Sequence, residues 1–369
     1  RTPEWRDQNP LPYHLATLQC HTLYYKTNIF TTRTIQNRLY LIRSCYNQII
    51  MSKKHTFSPS DLNNLTSEQI IERLQHRNCS LLKSLGGEKL RKEMVPVGKV
   101  CHLAINHFYR VGHKNNPKKR IEKAKARIIK NLRKITPAVY DKSTFPEAKN
   151  GLVLGFNHPS LGEIGRILLI KFELWGDKPV LFPVNLPWYE ALAGDYDRLK
   201  ALGIIITPTI TPSTWKKLDI KEDSPIYEAA SRIKRDFRDI YTDLSINIVK
   251  NGGMIFVAPS ATRQRTVFKT PAVYKKEEGI IPTMSILAIK LLTDGKTVCD
   301  FLPVAVLPPK NFKRGLNLFK KYQLLAGDLI TAEEIRSKYF KTKHPERLEN
   351  FDYDFHQKIA EKLPKEFWY

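Results

Sequence analysis

From Gly151 onward, short apolar runs alternate with longer stretches of helical periodicity, and this alternation constrains the fold more than any other feature. The runs are Leu152–Phe156, Val180–Val184, Gly203–Thr207, Met254–Ala258 and Asp300–Leu307. Brief, continuous apolar segments of this kind read as strands buried on both faces, as in a parallel sheet. Between them, helical patterns run over about 163–175, 224–249 and 279–292. Ser224 as N-cap, with Pro225 at the first helical position, predicts where the second of these begins. The expected fold class is therefore α/β: a mixed, largely parallel sheet flanked by helices. Ligands of such sheets bind beyond the carboxyl ends of the strands, so residues there carry the functional reading.

Residues 1 to about 95 have a different texture. They are expected to form a small helical N-terminal region, leaving 96–369 as the α/β domain. Residues 1–32 are rich in Tyr, His and Pro and lack periodicity. Ile35, Leu39, Ile42, Cys45 and Ile49 give one apolar face to a helix over 34–51. Ser58-Pro59-Ser60-Asp61 is a helix start, and Thr66 with Gln69 predicts a capping box for a helix running to Leu85, closed by Gly86-Gly87. Lys114 to Thr136 predicts a further helix with two stripes. Ile121, Ala124, Ile128, Leu132 and Ile135 face the core. Lys119, Lys123, Arg127, Lys130 and Lys134 form a cationic face, either solvated or turned toward anionic lipid or an acidic carrier protein.

The charge balance fits the second use of that face. With 61 Lys+Arg against 36 Asp+Glu, the chain carries +25 and is drawn to polyanions: nucleic acid, an anionic membrane surface, or phosphate-bearing substrates. No helix-turn-helix, zinc-finger or aromatic-basic ribonucleoprotein pattern is present, and the basic residues are spread along the chain, so no specific nucleic-acid partner is expected. Cys20, Cys45, Cys79, Cys101 and Cys299 are odd in number and never spaced C-x-x-C. That argues against a disulfide framework or a zinc site and points to a reducing compartment. No apolar run is long enough to predict a transmembrane helix. A chain beginning at Arg1 is expected to have lost a leader or a longer flank.

Two strand ends carry chemistry. Leu152–Phe156 runs into Asn157-His158-Pro159, where the proline bars helix at His158 and ends the ladder. Ile164, Ile167, Leu168 and Phe172 then begin a helix, with Glu163 at its start. A carboxylate at this spacing can fold back on the imidazole, hold one tautomer and leave the other ring nitrogen as a base. The plain alternative is a histidine held by local backbone in a strand–loop–helix corner. Asn106-His107 is read as such a structural pair, because Gly112 stands where the acid would be. The second strand end leads into Pro259-Ser260-Ala261-Thr262-Arg263-Gln264-Arg265. Arg263 and Arg265 can fork around a phosphate or carboxylate, or can simply be solvated.

These residues carry a resemblance. Asn157-His158 with Glu163, then Gly203-Ile204-Ile205-Ile206-Thr207-Pro208, then Ala258 to Arg265, then Phe301-Leu302-Pro303-Val304-Ala305-Val306 follow the order and approximate spacing of the glycerolipid acyltransferase blocks. Over roughly residues 95–310 the chain resembles a divergent member of that superfamily, most like the soluble plastid glycerol-3-phosphate acyltransferases. The resemblance implies that His158 is the general base for an acceptor hydroxyl attacking the thioester of acyl-CoA or acyl carrier protein, with Glu163 orienting it. It implies that Arg263 and Arg265 grip a phosphate, and that Thr262, Asn157 and Ser160 contact substrate. No cofactor is implied beyond the acyl donor as co-substrate. The acceptor would be glycerol 3-phosphate or a lysophospholipid, and the setting cytoplasm or plastid stroma beside a membrane.

The chain departs from the pattern in three places. Glu163 replaces the family's aspartate, Ala261 replaces a glycine, and Thr207-Pro208-Thr209-Ile210-Thr211-Pro212 stands where the plastid enzymes carry a basic pair, with Lys216 and Lys217 further on. These departures keep a second reading open, a non-catalytic lipid- or carrier-protein-binding module on the same fold. No Gly-x-Ser-x-Gly elbow frames Ser160, so a serine hydrolase is not expected.

Overall fold

A computed structural model of the chain describes residues 55–76, 79–109, 116–158, 163–259, 283–309, 319–340 and 346–364. The helix expected over 34–51 lies outside the described residues. The N-terminal part gives β1 (His55–Thr56), α1 (Pro59–Asn64), α2 (Ser67–His76), β2 (Cys79–Ser80), α3 (Leu81–Ser84) and α4 (Glu88–Tyr109). Ser58 and Asp61 form a capping box on α1. Thr66 and Gln69 exchange the same reciprocal bonds, at 3.3 and 2.9 Å, ahead of α2.

The single helix expected from there to Leu85 is broken. β2 instead pairs in parallel with β1, and Ser80 caps α3. The reason is a buried carboxylate far along the chain: Glu190 accepts from the Ser80 hydroxyl at 2.8 Å and from the Leu82 amide at 2.7 Å. A buried, satisfied anion of this kind outweighs the few tenths of a kcal/mol per residue that helix propensity supplies. Residues 95 and 96 lie within α4, and Phe57, Ile70 and Leu82 share one apolar cluster with Leu154 and Phe256 of the sheet. Residues 55–95 therefore pack onto the same core as the rest.

The remainder runs α5 (Pro117–Ile135), β3 (Ala138–Val139), β4 (Gly151–Phe156), α6 (Glu163–Leu174), β5 (Val180–Asn185), α7 (Leu186–Leu192), α8 (Tyr196–Ala201), β6 (Ile204–Thr209), α9 (Pro212–Leu218) and α10 (Tyr227–Lys250). It ends with β7 (Met254–Val257), α11 (Thr283–Leu292), β8 (Cys299–Leu307), β9 (Tyr322–Ala326), α12 (Ala332–Ile335) and α13 (Glu346–Ala360). Among the described residues, the main sheet has seven strands in the order β3-β9-β8-β4-β7-β5-β6. β8, β4, β7, β5 and β6 are parallel to one another, while β9 is antiparallel to β8. The expected mixed, largely parallel sheet is present, and each expected strand lies within two residues of its predicted bounds.

β4 sits near the middle with all of its residues buried. Leu152, Leu154 and Phe156 point into one apolar cluster with α5, α6, α7 and the first half of α10. Val153 points into the other, with α11, α13 and the end of α10. That two-sided burial is why the sequence shows apolar runs rather than alternation. α10 begins two residues later than Ser224 and Pro225 suggest: Ser224 forms a turn, its carbonyl accepting from the Tyr227 amide at 2.9 Å. α5 follows its predicted stripes. Ala124 and Ile128 are buried, and Lys119, Lys123, Arg127, Lys130 and Lys134 are exposed. Among the described residues, no helix is long and apolar enough to cross a membrane.

One buried side chain makes stability depend on pH. His356 of α13 is 1% exposed, and burial pulls its imidazole down to about 4. The unfolded chain takes up that proton near pH 6.5, whereas the native state resists until about pH 4. Stability present above pH 6.5 is thus lost as pH falls toward 4, by roughly 3 kcal/mol from this group. Urea unfolding at pH 7 and pH 4.5 should show a larger loss for wild type than for His356→Phe. Equal losses would remove His356 as the source.

Candidate active site

The site is built at the carboxyl end of β4. The strand ends at Phe156, and the next side chain, Asn157, completes its ladder. Asn157 is 2% exposed; its amide donates to the Val306 carbonyl at 3.0 Å, and its oxygen accepts from the Val306 amide at 2.6 Å. A side chain thus takes the place of a backbone partner on β8 and fixes where the chain leaves the sheet. His158 follows, its side chain 16% exposed at the rim.

Glu163 opens α6, and its carboxylate is fully buried. Its Oε1 accepts from Nδ1 of His158. The extra methylene relative to aspartate is accommodated because the side chain starts from the first turn of the helix, where a negative charge also meets the helix dipole favourably. With Nδ1–H donating to Glu163, the lone pair of the neutral ring lies on Nε2, and no described residue hydrogen-bonds Nε2. The arrangement can accept a proton at Nε2 and stabilise the resulting imidazolium through Glu163.

One turn further along α6 lies Arg166, close enough for its charge to interact with Glu163, and nothing in the sequence marked it beyond its place three residues after Glu163. Its fully buried guanidinium donates to the Lys320 carbonyl at 2.7 Å and the Pro137 carbonyl at 3.3 Å, and lies 3.7 Å from the centroid of the Tyr322 ring. Burial pushes the guanidinium below its ordinary range, while Tyr322 and Glu163 act in the opposite direction. The glycine between them has a packing role. A Cβ on Gly165 would lie 2.8 Å from the Thr136 side chain, so glycine lets α6 close against the end of α5.

Of the residues singled out in the sequence, Asn157, His158 and Glu163 come together here. Ser160, Thr262, Arg263 and Arg265 lie outside the described residues. β7, the strand that leads toward Thr262, Arg263 and Arg265, is the direct neighbour of β4, with Gly155 opposite Val257. Lys216 and Lys217 are exposed in the last turn of α9. Asn106 lies within α4, its amide 2.7 Å from Nε2 of His102, in line with a structural role. Among the described residues, no group of three or more His, Cys, Asp or Glu side chains converges as a metal site requires. No protein-family model matches the chain, and no curated protein matches it in sequence.

The Asn157 bridge is testable apart from any activity. Asn157→Ala leaves the buried Val306 amide and carbonyl without their side-chain partner, at a cost of roughly 2–3 kcal/mol. Guanidinium unfolding should show a lower midpoint with an unchanged slope. An unchanged midpoint would show that the bridge does not fix the end of β4.

Proposed function

We propose that the chain is an O-acyltransferase that moves a fatty acyl group from an acyl-CoA or acyl-carrier-protein thioester to a hydroxyl of glycerol 3-phosphate or a lysophospholipid. The observation that carries this reading is the fully buried Glu163 carboxylate bonded to Nδ1 of a rim-exposed His158 at the carboxyl end of a central parallel strand. The order of the sequence blocks supports it, since the third block continues from β7, directly beside β4.

In this mechanism the acceptor hydroxyl oxygen attacks the thioester carbonyl carbon while Nε2 of His158 takes its proton. The C–S bond then breaks, and the imidazolium returns the proton to the leaving thiolate. Glu163 holds the ring and stabilises its charged form, and Arg166 adds a buried positive charge that favours the Glu163 carboxylate. Arg263 and Arg265 are assigned to the phosphate of a substrate, with Thr262 and Ser160 contributing polar contacts. Ile164, next to Glu163 and 40% exposed, supplies apolar surface at the rim for the acyl chain.

His158→Ala tests the chemistry. Free-thiol release from palmitoyl-CoA, measured with glycerol 3-phosphate, lysophosphatidate and other lysophospholipids, should fall by about 10²–10⁴-fold. The variant should keep the wild-type circular dichroism spectrum, with an unfolding midpoint lowered by the lost hydrogen bond to the buried Glu163 carboxylate. Turnover at the wild-type rate in a folded His158→Ala protein would remove His158 from the mechanism. Loss of transfer to every acceptor and from every donor in wild type would favour the non-catalytic binding module.

The product or acceptor lipid places the enzyme at a membrane, and the exposed cationic face of α5 is assigned to an anionic bilayer surface. Reversing Lys119, Lys123 and Lys130 to Glu should abolish sedimentation with phosphatidylserine-containing vesicles while leaving neutral vesicles unaffected. Sedimentation equal to wild type would assign that face to solvent.

A further inference from the structure

The carboxyl rim of the sheet holds a second concave feature, at its far edge. Beyond Thr209 at the end of β6, a cleft of about 480 Å³ opens between α9 and α10. Lys234, Arg235 and Arg238 of α10 line it, together with Trp215 of α9 and Tyr227. Nζ of Lys234 lies 4.7 Å from the centroid of the Trp215 ring, and Tyr227 packs edge-on to the same ring at 6.2 Å. The ring thus supports the lysine from one side rather than neutralising it.

The positive charge here is only partly balanced. Arg238 reaches the exposed neighbouring Asp239 at 3.4 Å, and neither Lys234 nor Arg235 has an acidic partner among the described residues. Three like charges gathered on two turns of one helix repel one another. In a concave wall they also concentrate a positive potential that favours a multiply charged anion. Guanidinium and ammonium groups arranged beside aromatic faces fit phosphate groups attached to a planar ring system.

Position decides which phosphates. β6 is three strands from β4 in the sheet, so the cleft lies roughly 14 Å or more from His158 at about 4.8 Å per strand. The phosphate of a small acceptor such as glycerol 3-phosphate is only a few bonds from the hydroxyl that must reach His158. It cannot also reach this cleft. The phosphates of a coenzyme A thioester are separated from the reacting carbonyl by the long pantetheine arm, and they can. We infer that the cleft between α9 and α10 binds the phosphate-bearing nucleotide end of a coenzyme A thioester, which makes the donor acyl-CoA. This inference rests on the acyltransferase reading for its substrate, but its test requires no turnover.

The experiment is titration calorimetry of free coenzyme A against the full chain. Wild type is compared with the triple variant Lys234→Ala/Arg235→Ala/Arg238→Ala, which leaves the buried face of α10 intact. A control variant, Lys149→Ala/Lys296→Ala, removes cations from a basic cleft at the amino ends of β4 and β8, on the opposite rim. Binding should weaken at least about tenfold in the triple variant and stay at the wild-type value in the control. Glycerol 3-phosphate, titrated in parallel, should bind both variants as it binds wild type. Three results would overturn the assignment: no binding of coenzyme A to wild type, unchanged binding in the triple variant, or equal weakening in both variants, which is the general attraction of a +25 chain. Weakening confined to glycerol 3-phosphate would move the cleft to the acceptor and overturn it as well. Coenzyme A binding that depends on the cleft in a protein whose transfer does not depend on His158 would retain the binding site and reject the mechanism.

Discussion

A carboxylate with no exposure to water is the constraint on which the rest of this site depends. Glu163 is fully buried, and an ionised group in that position is stable only where charge and hydrogen bonds compensate the lost hydration. His158 supplies a hydrogen bond from one side. The start of α6 supplies its dipole from below, and Arg166 brings a buried positive charge within interaction range one turn on. Removing any one of these leaves the others uncompensated, so the histidine's orientation is held by a network rather than by a single contact.

The same network ties the site to distant parts of the chain. Arg166 is fixed by carbonyls of Pro137 and Lys320, so α6 is locked to the corner after α5 and to the segment that leads into β9. Asn157 locks β4 to β8 through Val306. His158 therefore lies between two anchored elements, with little freedom to move away from Glu163. A base held in one place before its substrate arrives loses less on reaching the transition state, which is the physical value of such scaffolding.

Much of this was legible from the sequence because burial on both faces leaves an unmistakable mark: Leu152–Phe156 and Met254–Ala258 carry no polar alternation. The His158–Glu163 pairing was legible because a proline and a helical stripe placed the two residues on either side of a short loop. What escaped depends on partners far away in sequence. The break before α3 is set by Glu190, 110 residues from Ser80, and Arg166 earns no local signal because its carbonyl partners are 29 and 154 residues away. β9 was missed since Tyr322–Ala326 is a short strand with buried and exposed residues interleaved and no long apolar run, and β3 because two residues give no period to read. The cationic cleft escaped too, for Lys234, Arg235 and Arg238 look like an ordinary solvated helix face until α9 closes over them.

The central claim is that His158 and Glu163 act as one unit, and a double-mutant cycle on kcat/KM for acyl transfer tests it most directly. Glu163→Gln keeps the shape and removes the charge, so alone it should lower kcat/KM. Combined with His158→Ala, it should cost nothing beyond the histidine change, because the carboxylate acts only through the ring. Costs that simply add in the double variant would contradict the account, since each residue would then contribute to turnover independently of the other.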